Sequence, residues 1–306
     1  MTDPELDSEL DSDPEEEEEE EEKEEPEEDL LDRLGGAIAD PDPAPEDDAR
    51  QRLGGEAVLE LGRLGELALW WAGVRATADA PVAGRVLLAG GSSDVAARRP
   101  GGQALALPRG GTVDTAMAWG VATADDAADR GVEVILLSLD DAEAARALTA
   151  DLMGLDAVEA TGWPMDRGLT DDDWMHRVSV LRDRLWRTRG LRGRPADLLR
   201  ALASPATAAA AALVAQATAR RTPVLLDGPG AAAAALLVQR TSYSAARWWQ
   251  AAHLGTDPLH ERALGSLGLV PLTRLGIQLE DGTAALAGLA LLDLAAGMLS
   301  GPVLDD

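Results

Sequence analysis

Three short apolar runs constrain the fold more than any other feature of the 306-residue sequence: GRVLLAGG (Gly84–Gly91), GVEVILLSL (Gly131–Leu139) and RTPVLLDGPG (Arg221–Gly230). Each is rich in Val and Leu and closes on Gly, Ser or Asp. A continuous apolar run of about 4–8 residues bounded by turn residues reads as a strand buried on both faces. Helical patterns separate and follow these runs, at Asp141–Met153 and Ala231–Arg240. Strands alternating with helices build βαβ units and therefore a parallel sheet.

RWWQAAHL (Arg247–Leu254) reads as a fourth strand, because Gly255, Thr256, Asp257 and Pro258 behind it form a turn with a helix cap. A packing helix is expected from Glu56 to Ala76, where Leu59, Leu61, Leu64, Leu67 and Trp71 recur near the 3.6-residue period. Pro205–Ala219 and Thr283–Leu299 are Ala-rich covering helices. The expected architecture is α/β: three layers, with a mostly parallel, Rossmann-like sheet flanked by helices. Ligands of such sheets sit outside the carboxyl ends of the strands. The loops after Leu88, Leu137, Leu226 and His253 therefore surround one crevice, which the loop at Asp281 can join.

Charge divides the chain. Residues 1–48 hold 25 of the 55 acidic and 2 of the 27 basic residues, so that segment carries −23 and the remainder −5 of the total −28. So few apolar groups and so many like charges predict a disordered acidic tail over 1–48, ahead of an α/β domain over 49–306. The tail is read as a solubilising segment or as an arm for a basic partner, and it disfavours nucleic acid and anionic membrane as ligands. No cysteine is present, which removes disulfides and thiolate chemistry. Lys23 is the only lysine, so Schiff-base chemistry is not expected of the body. A basic-then-apolar start is lacking and no apolar run reaches the roughly 18 residues of a membrane span, so a cytoplasmic protein is expected.

Within this frame, LGIQLEDGTAAL (Leu275–Leu286) sets Glu280 and Asp281 before a Gly-Thr step into a helix. Helix starts carry unpartnered N–H groups that suit anions, whereas two carboxylates oppose one. QRLGGEAVLELGRLGELALWWAGV, TPVLLDG and HLGTDPLHERALGSLGLVPLTRLGIQLEDGTAALAG, in that order and spacing, resemble the nicotinate-nucleotide:dimethylbenzimidazole phosphoribosyltransferases of cobalamin lower-ligand synthesis. The resemblance runs from about Gln51 to Leu299. It implies transfer of phosphoribose from nicotinate mononucleotide to a benzimidazole nitrogen, giving α-ribazole phosphate, with no metal or cofactor. It places Asp281 where the family has its general-base glutamate and Arg177 where the family has a phosphate-contacting lysine. Gly282 and Thr283 then frame the loop, and His253 falls in a substrate element. A homodimer, or a heteromer with a family member, is the implied assembly.

The sequence also departs from that family. Asp281 is one methylene shorter than the family's glutamate, and Glu280 stands for a glycine. The Gly-Asn-Thr phosphate loop after the central strand is replaced by SLDDAEAARAL, with Asp140, Asp141 and Glu143. The first strand runs into AGGSSDVAARR, where Gly90, Ser92 and Ser93 offer a small polar loop, and the connection RPGGQALALPRGGT (Arg99–Thr112) is short. These losses fit a second reading, a catalytically impaired accessory or regulatory subunit of the same family. For Asp227 and Gly228 two readings stand: a ribose-hydroxyl contact, or closure of the strand-to-helix turn. Arg177 is either a phosphate ligand or a solvated helix residue. His253 and His260, with Asp257 between, are read as substrate or structural groups around a helix cap in preference to a metal site.

Overall fold

The computed structural model describes residues 29–92, 94–163 and 169–300. Four helices come first: α1 (Leu30–Gly36), α2 (Ala44–Leu53), α3 (Gly55–Leu61) and α4 (Arg63–Arg75). The alternating part follows as β1 (Val86–Ala89), α5 (Asp94–Arg98), β2 (Gly102–Leu105), α6 (Val113–Asp129), β3 (Val134–Ser138) and α7 (Ala142–Met153). Helices α8 (Ala157–Thr161), α9 (Asp171–Arg187), α10 (Pro195–Leu202) and α11 (Pro205–Ala219) lead to β4 (Val224–Asp227) and α12 (Gly228–Thr241). The chain closes with a 3₁₀ turn at Tyr243–Trp248, then β5 (Trp249–His253), α13 (Pro258–Leu267) and α14 (Thr283–Leu299).

All five strands are parallel, in the order β2-β1-β3-β4-β5. Every residue of β1, β3, β4 and β5 is buried, as the unbroken apolar runs predict. The order reverses between β1 and β3, so chains leaving their carboxyl ends diverge and open a crevice. Helix α14 packs on β3, β4 and β5 with α4 behind it, while α12 and α11 cover the other face and α6 lies along α11. Alanine makes that last contact close: a Cβ at Gly120 of α6 would overlap the Ala209 carbonyl of α11.

Three expectations are corrected. The helix expected over Glu56–Ala76 is two helices broken at Gly62, whose φ of 54° and ψ of −126° only glycine adopts cheaply. Leu59, counted in its apolar stripe, is 82% exposed. Residues Arg99–Thr112 contain β2, an edge strand whose last three residues are exposed, so no apolar run announces it. The folded body also begins before residue 49. Asp29 caps α1 through its carboxylate and pairs with Arg200 at 2.8 Å, and Leu31 is fully buried. Residues 1–28, the rest of the expected tail, lie outside the described residues, as does Ser93.

Candidate active site

A cleft of about 590 Å³ opens over the carboxyl ends of β4 and β5. Its wall comes from the β4–α12 turn (Asp227, Gly228, Pro229), the β5–α13 turn (His253, Gly255, Thr256, Asp257, His260), Ala142 at the start of α7, and the loop Ile277–Glu280. Two histidines hold these pieces together. The buried His253 lies 3.2 Å from the Ile277 carbonyl through Nε2 and 3.1 Å from the Thr273 hydroxyl through Nδ1. A carbonyl only accepts, so Nε2 carries a proton there. His253 thereby ties the segment leading to Glu280 onto the end of β5. His260, also buried, accepts from Gly255 N–H at 3.4 Å through Nδ1. Burial drives its imidazole down to about 4, with Asp257 opposing and His253 assisting, so the ring is neutral at pH 7.

Asp257 caps α13 by accepting from Leu259 N–H at 2.9 Å, and its second oxygen faces Arg146 at 3.6 Å. Pro258 follows at the first helical position, the cap signature read from the sequence. Among the described residues no group of His, Asp and Glu is arranged to hold a metal ion.

The Asp227 side chain makes no cap bond to the β4–α12 turn, which corrects the turn-closing reading. Its carboxylate accepts from Ala285 N–H at 3.2 Å, which satisfies an orphan donor in the first turn of α14, and it also lines the cleft. Burial lifts it to about 6; Asp281 adds repulsion, while the Ala285 N–H and the Ser138 hydroxyl pull it back. Gly228 next to it has φ +84°, and a Cβ there would lie 3.5 Å from Cγ of Glu280. The glutamate side chain thus lies against the glycine at the start of α12.

Glu280 and Asp281, adjacent in the chain, differ sharply in surroundings. Glu280 lines the cleft; its Oε2 is shielded from solvent and has no hydrogen-bond partner among the described residues. Burial raises its carboxyl to about 7, reinforced by Asp140, Asp227, Asp257 and Asp141. Asp281 instead accepts from Thr283 N–H at 2.9 Å, closing its own turn, and is not among the cleft residues. Gly282, with φ +91°, lets the turn settle on β1: a Cβ would stand 2.7 Å from Leu88 Cδ1. The Asp281 carbonyl likewise sits where a Cβ of Gly91 would be. Thr283 opens α14 on the exposed side, and Ser92 is exposed and does not line the cleft.

Arg177 is exposed on α9 and lines a separate hollow of about 430 Å³ with Arg146, His176 and Arg184. That hollow meets the main cleft at Ala142, which lines both. The start of α7 between them is internally satisfied: Asp141 accepts from Ala144 N–H at 3.3 Å and from the hydroxyls of Ser204 and Thr207. A carboxylate thus occupies the helix start where the family pattern has its Gly-Asn-Thr phosphate loop. Of the residues expected from sequence, Asp227, Gly228 and His253 share the cleft, while Asp281, Gly282 and Thr283 build the turn that delivers Glu280. Glu280, Asp257 and His260 complete the wall. Their carboxylate and imidazole groups were visible in the sequence, but which side of each loop they take was not.

The parallel sheet flanked by helices defines an α/β protein, with a polar cleft at the carboxyl ends of β4 and β5. A sequence model described as phosphoribosyltransferase matches residues 103–302, and the chain belongs to that family. Similar curated relatives are named nicotinate-nucleotide–dimethylbenzimidazole phosphoribosyltransferase. The protein of Corynebacterium efficiens is 33% identical over 80% of this chain and 65% of its own length. That of Corynebacterium glutamicum ATCC 13032 is 37% identical over 61% of this chain and 53% of its own. That of Mycobacterium tuberculosis is 35% identical over 58% and 49%. The chain thus spans about half to two-thirds of the length of these relatives. The crystal structure of nicotinate-nucleotide-dimethylbenzimidazole phosphoribosyltransferase from Thermus thermophilus shares the fold, with a TM-score of 0.70 at 22% identity over 86% of this chain and 97% of that one.

Proposed function

We propose that the chain transfers phosphoribose from nicotinate mononucleotide to dimethylbenzimidazole, releasing nicotinate and forming α-ribazole phosphate for cobalamin. The observation that carries this reading is the junction of two hollows, one walled by carboxylates and the other holding three arginines. Asp227, Asp257 and Glu280 face the main cleft, and its neighbour holds Arg146, Arg177 and Arg184 together with Glu143 and Asp173, with Arg184 paired to Glu143 at 2.8 Å and Arg146 to Asp257 at 3.6 Å. A ribose that loses its base passes through a cation-like state, which a negative potential stabilises. A phosphate needs the opposite, and guanidinium groups supply it. One nucleotide lying across Ala142 satisfies both, with its phosphate toward Arg177 and its anomeric carbon over Asp227 and Glu280. His253 and Gly228 shape the floor beneath the ribose, and the carboxylates of the Glu280–Asp281 loop supply the base.

The reading carries a cytoplasmic location and an assembly as a homodimer, or as a heteromer with a family member. Among the described residues no helix is long and apolar enough to cross a membrane. The test is to incubate the full chain with nicotinate mononucleotide and dimethylbenzimidazole and to separate the products. Equal amounts of nicotinate and α-ribazole phosphate are expected. Absence of both, with binding of neither substrate, would overturn the proposal.

A further inference from the structure

We propose that Glu280, which stands where the family pattern has glycine, is the general base that takes the benzimidazole proton, and that Asp281 shapes its turn. This rests on the transferase reading above. The first ground is orientation. A base must reach the heterocycle, and Glu280 lines the cleft, while its Oε2, closed to solvent, has no hydrogen-bond partner among the described residues that holds it away. Asp281, by contrast, spends Oδ1 on Thr283 N–H two residues ahead, and its side chain is outside the cleft wall. Reach is the second ground. Asp281 is a methylene shorter than the family's glutamate, while Glu280 restores that length from one position earlier.

The third ground is the setting. His253 fixes the approach to the loop through Ile277, and Gly282 and Gly91 hold the turn against β1, so the Glu280 backbone has little freedom to retreat. The groups facing it are carboxylates: Asp140 and Asp141 at the start of α7, Asp227 at the end of β4 and Asp257 before α13. The histidines in the same wall are His253 and the neutral His260. A carboxyl raised to about 7 is a stronger base than an ordinary one once ionised, and it is substantially ionised near neutrality.

The lone pair on the unprotonated benzimidazole nitrogen forms the bond to the anomeric carbon. The bond from that carbon to the nicotinate nitrogen breaks, and its electron pair leaves with nicotinate. Glu280 removes the proton from the other benzimidazole nitrogen, and the N–H electron pair neutralises the ring. Solvent takes the proton from Glu280 before the next turnover.

The experiment compares Glu280→Gln, Glu280→Asp and Asp281→Asn in the full chain, following nicotinate release and, by calorimetry, dimethylbenzimidazole binding. Glu280→Gln should lower kcat by about 10²–10⁴-fold, the usual worth of a general base, and Glu280→Asp should recover part of it. Asp281→Asn should cost at least tenfold less than Glu280→Gln. In the parent protein kcat should rise as pH climbs through about 7, and this limb should vanish in Glu280→Gln. Calorimetry reads the site without turnover: Glu280→Gln should weaken benzimidazole binding about tenfold relative to Asp281→Asn, through loss of a charged acceptor. Equal losses, or the reverse order, in both measurements overturn the assignment. Absence of turnover in the parent counts against the transferase reading, and the order of the binding losses still decides between the two carboxylates.

Discussion

Adjacent carboxylates in one loop can have unlike chemistry, because a turn of a few atoms decides which enters a cleft and which meets backbone. In LEDGT the residue pair was legible from sequence, as was its place before a helix, yet the pattern matched to the family drew attention to Asp281 and left Glu280 as a mere replacement for glycine. Only the fold shows that Asp281 closes its turn on Thr283 N–H. Asp227 gives a prediction at this scale. Its folded-state carboxyl lies near 6 against 3.8 when unperturbed, chiefly from burial, so between those values the folded chain holds a proton that the unfolded chain has released. Its contribution to stability therefore falls as pH rises through that window. Asp227→Asn removes the titration and keeps an oxygen for Ala285 N–H. Thermal melts should show the variant gaining on the parent from pH 4 to 6, then a constant gap; a gap independent of pH would contradict the assignment.

Elements were legible where burial imposes a pattern and illegible where it does not. The strands β1, β3, β4 and β5 are covered on both faces and write themselves as apolar runs, whereas β2 is a four-residue edge strand, exposed at its last three residues, that pairs with β1 and meets α5 at Gly102. The Leu periodicity over 56–76 continues through Gly62, but backbone geometry ends the helix there regardless of side-chain spacing. Close approach between elements is equally silent in the sequence. At Gly120 the helix α6 meets the Ala209 carbonyl of α11 with no room for a methyl group. Gly120→Ala should therefore destabilise the protein by about 1–3 kcal/mol in urea unfolding, despite its better helix propensity, because the overlap is with backbone. Gly282→Ala should cost a similar ~1–3 kcal/mol, since φ +91° and Leu88 both oppose a Cβ, and it should also displace Glu280 and lower turnover. Unchanged stability in either variant would show that the helices or the turn relax freely.

At the scale of the whole molecule, charge and packing draw different boundaries. The acidic excess extends to residue 48, but α1 is already part of the body: Leu31 and Leu34 are buried, and Asp29 pairs with Arg200. Composition averages over a window and cannot see two leucines that find a core. Removing residues 1–28 should change unfolding free energy by no more than about 0.5 kcal/mol. Removing 1–43 should cost roughly 4.5–9 kcal/mol, from about 1.5–3 for each of Leu31, Leu34 and Ile38 lost from the core. Equal stability of the two truncations would return the boundary to residue 48. A crystal structure with bound α-ribazole phosphate tests most directly whether one nucleotide spans the two hollows. Phosphate beside Arg177, ribose over Asp227, and a Glu280 oxygen about 2.6–3.2 Å from a benzimidazole nitrogen are expected. Ligand bound elsewhere, or Asp281 in that contact with Glu280 turned away, would contradict it.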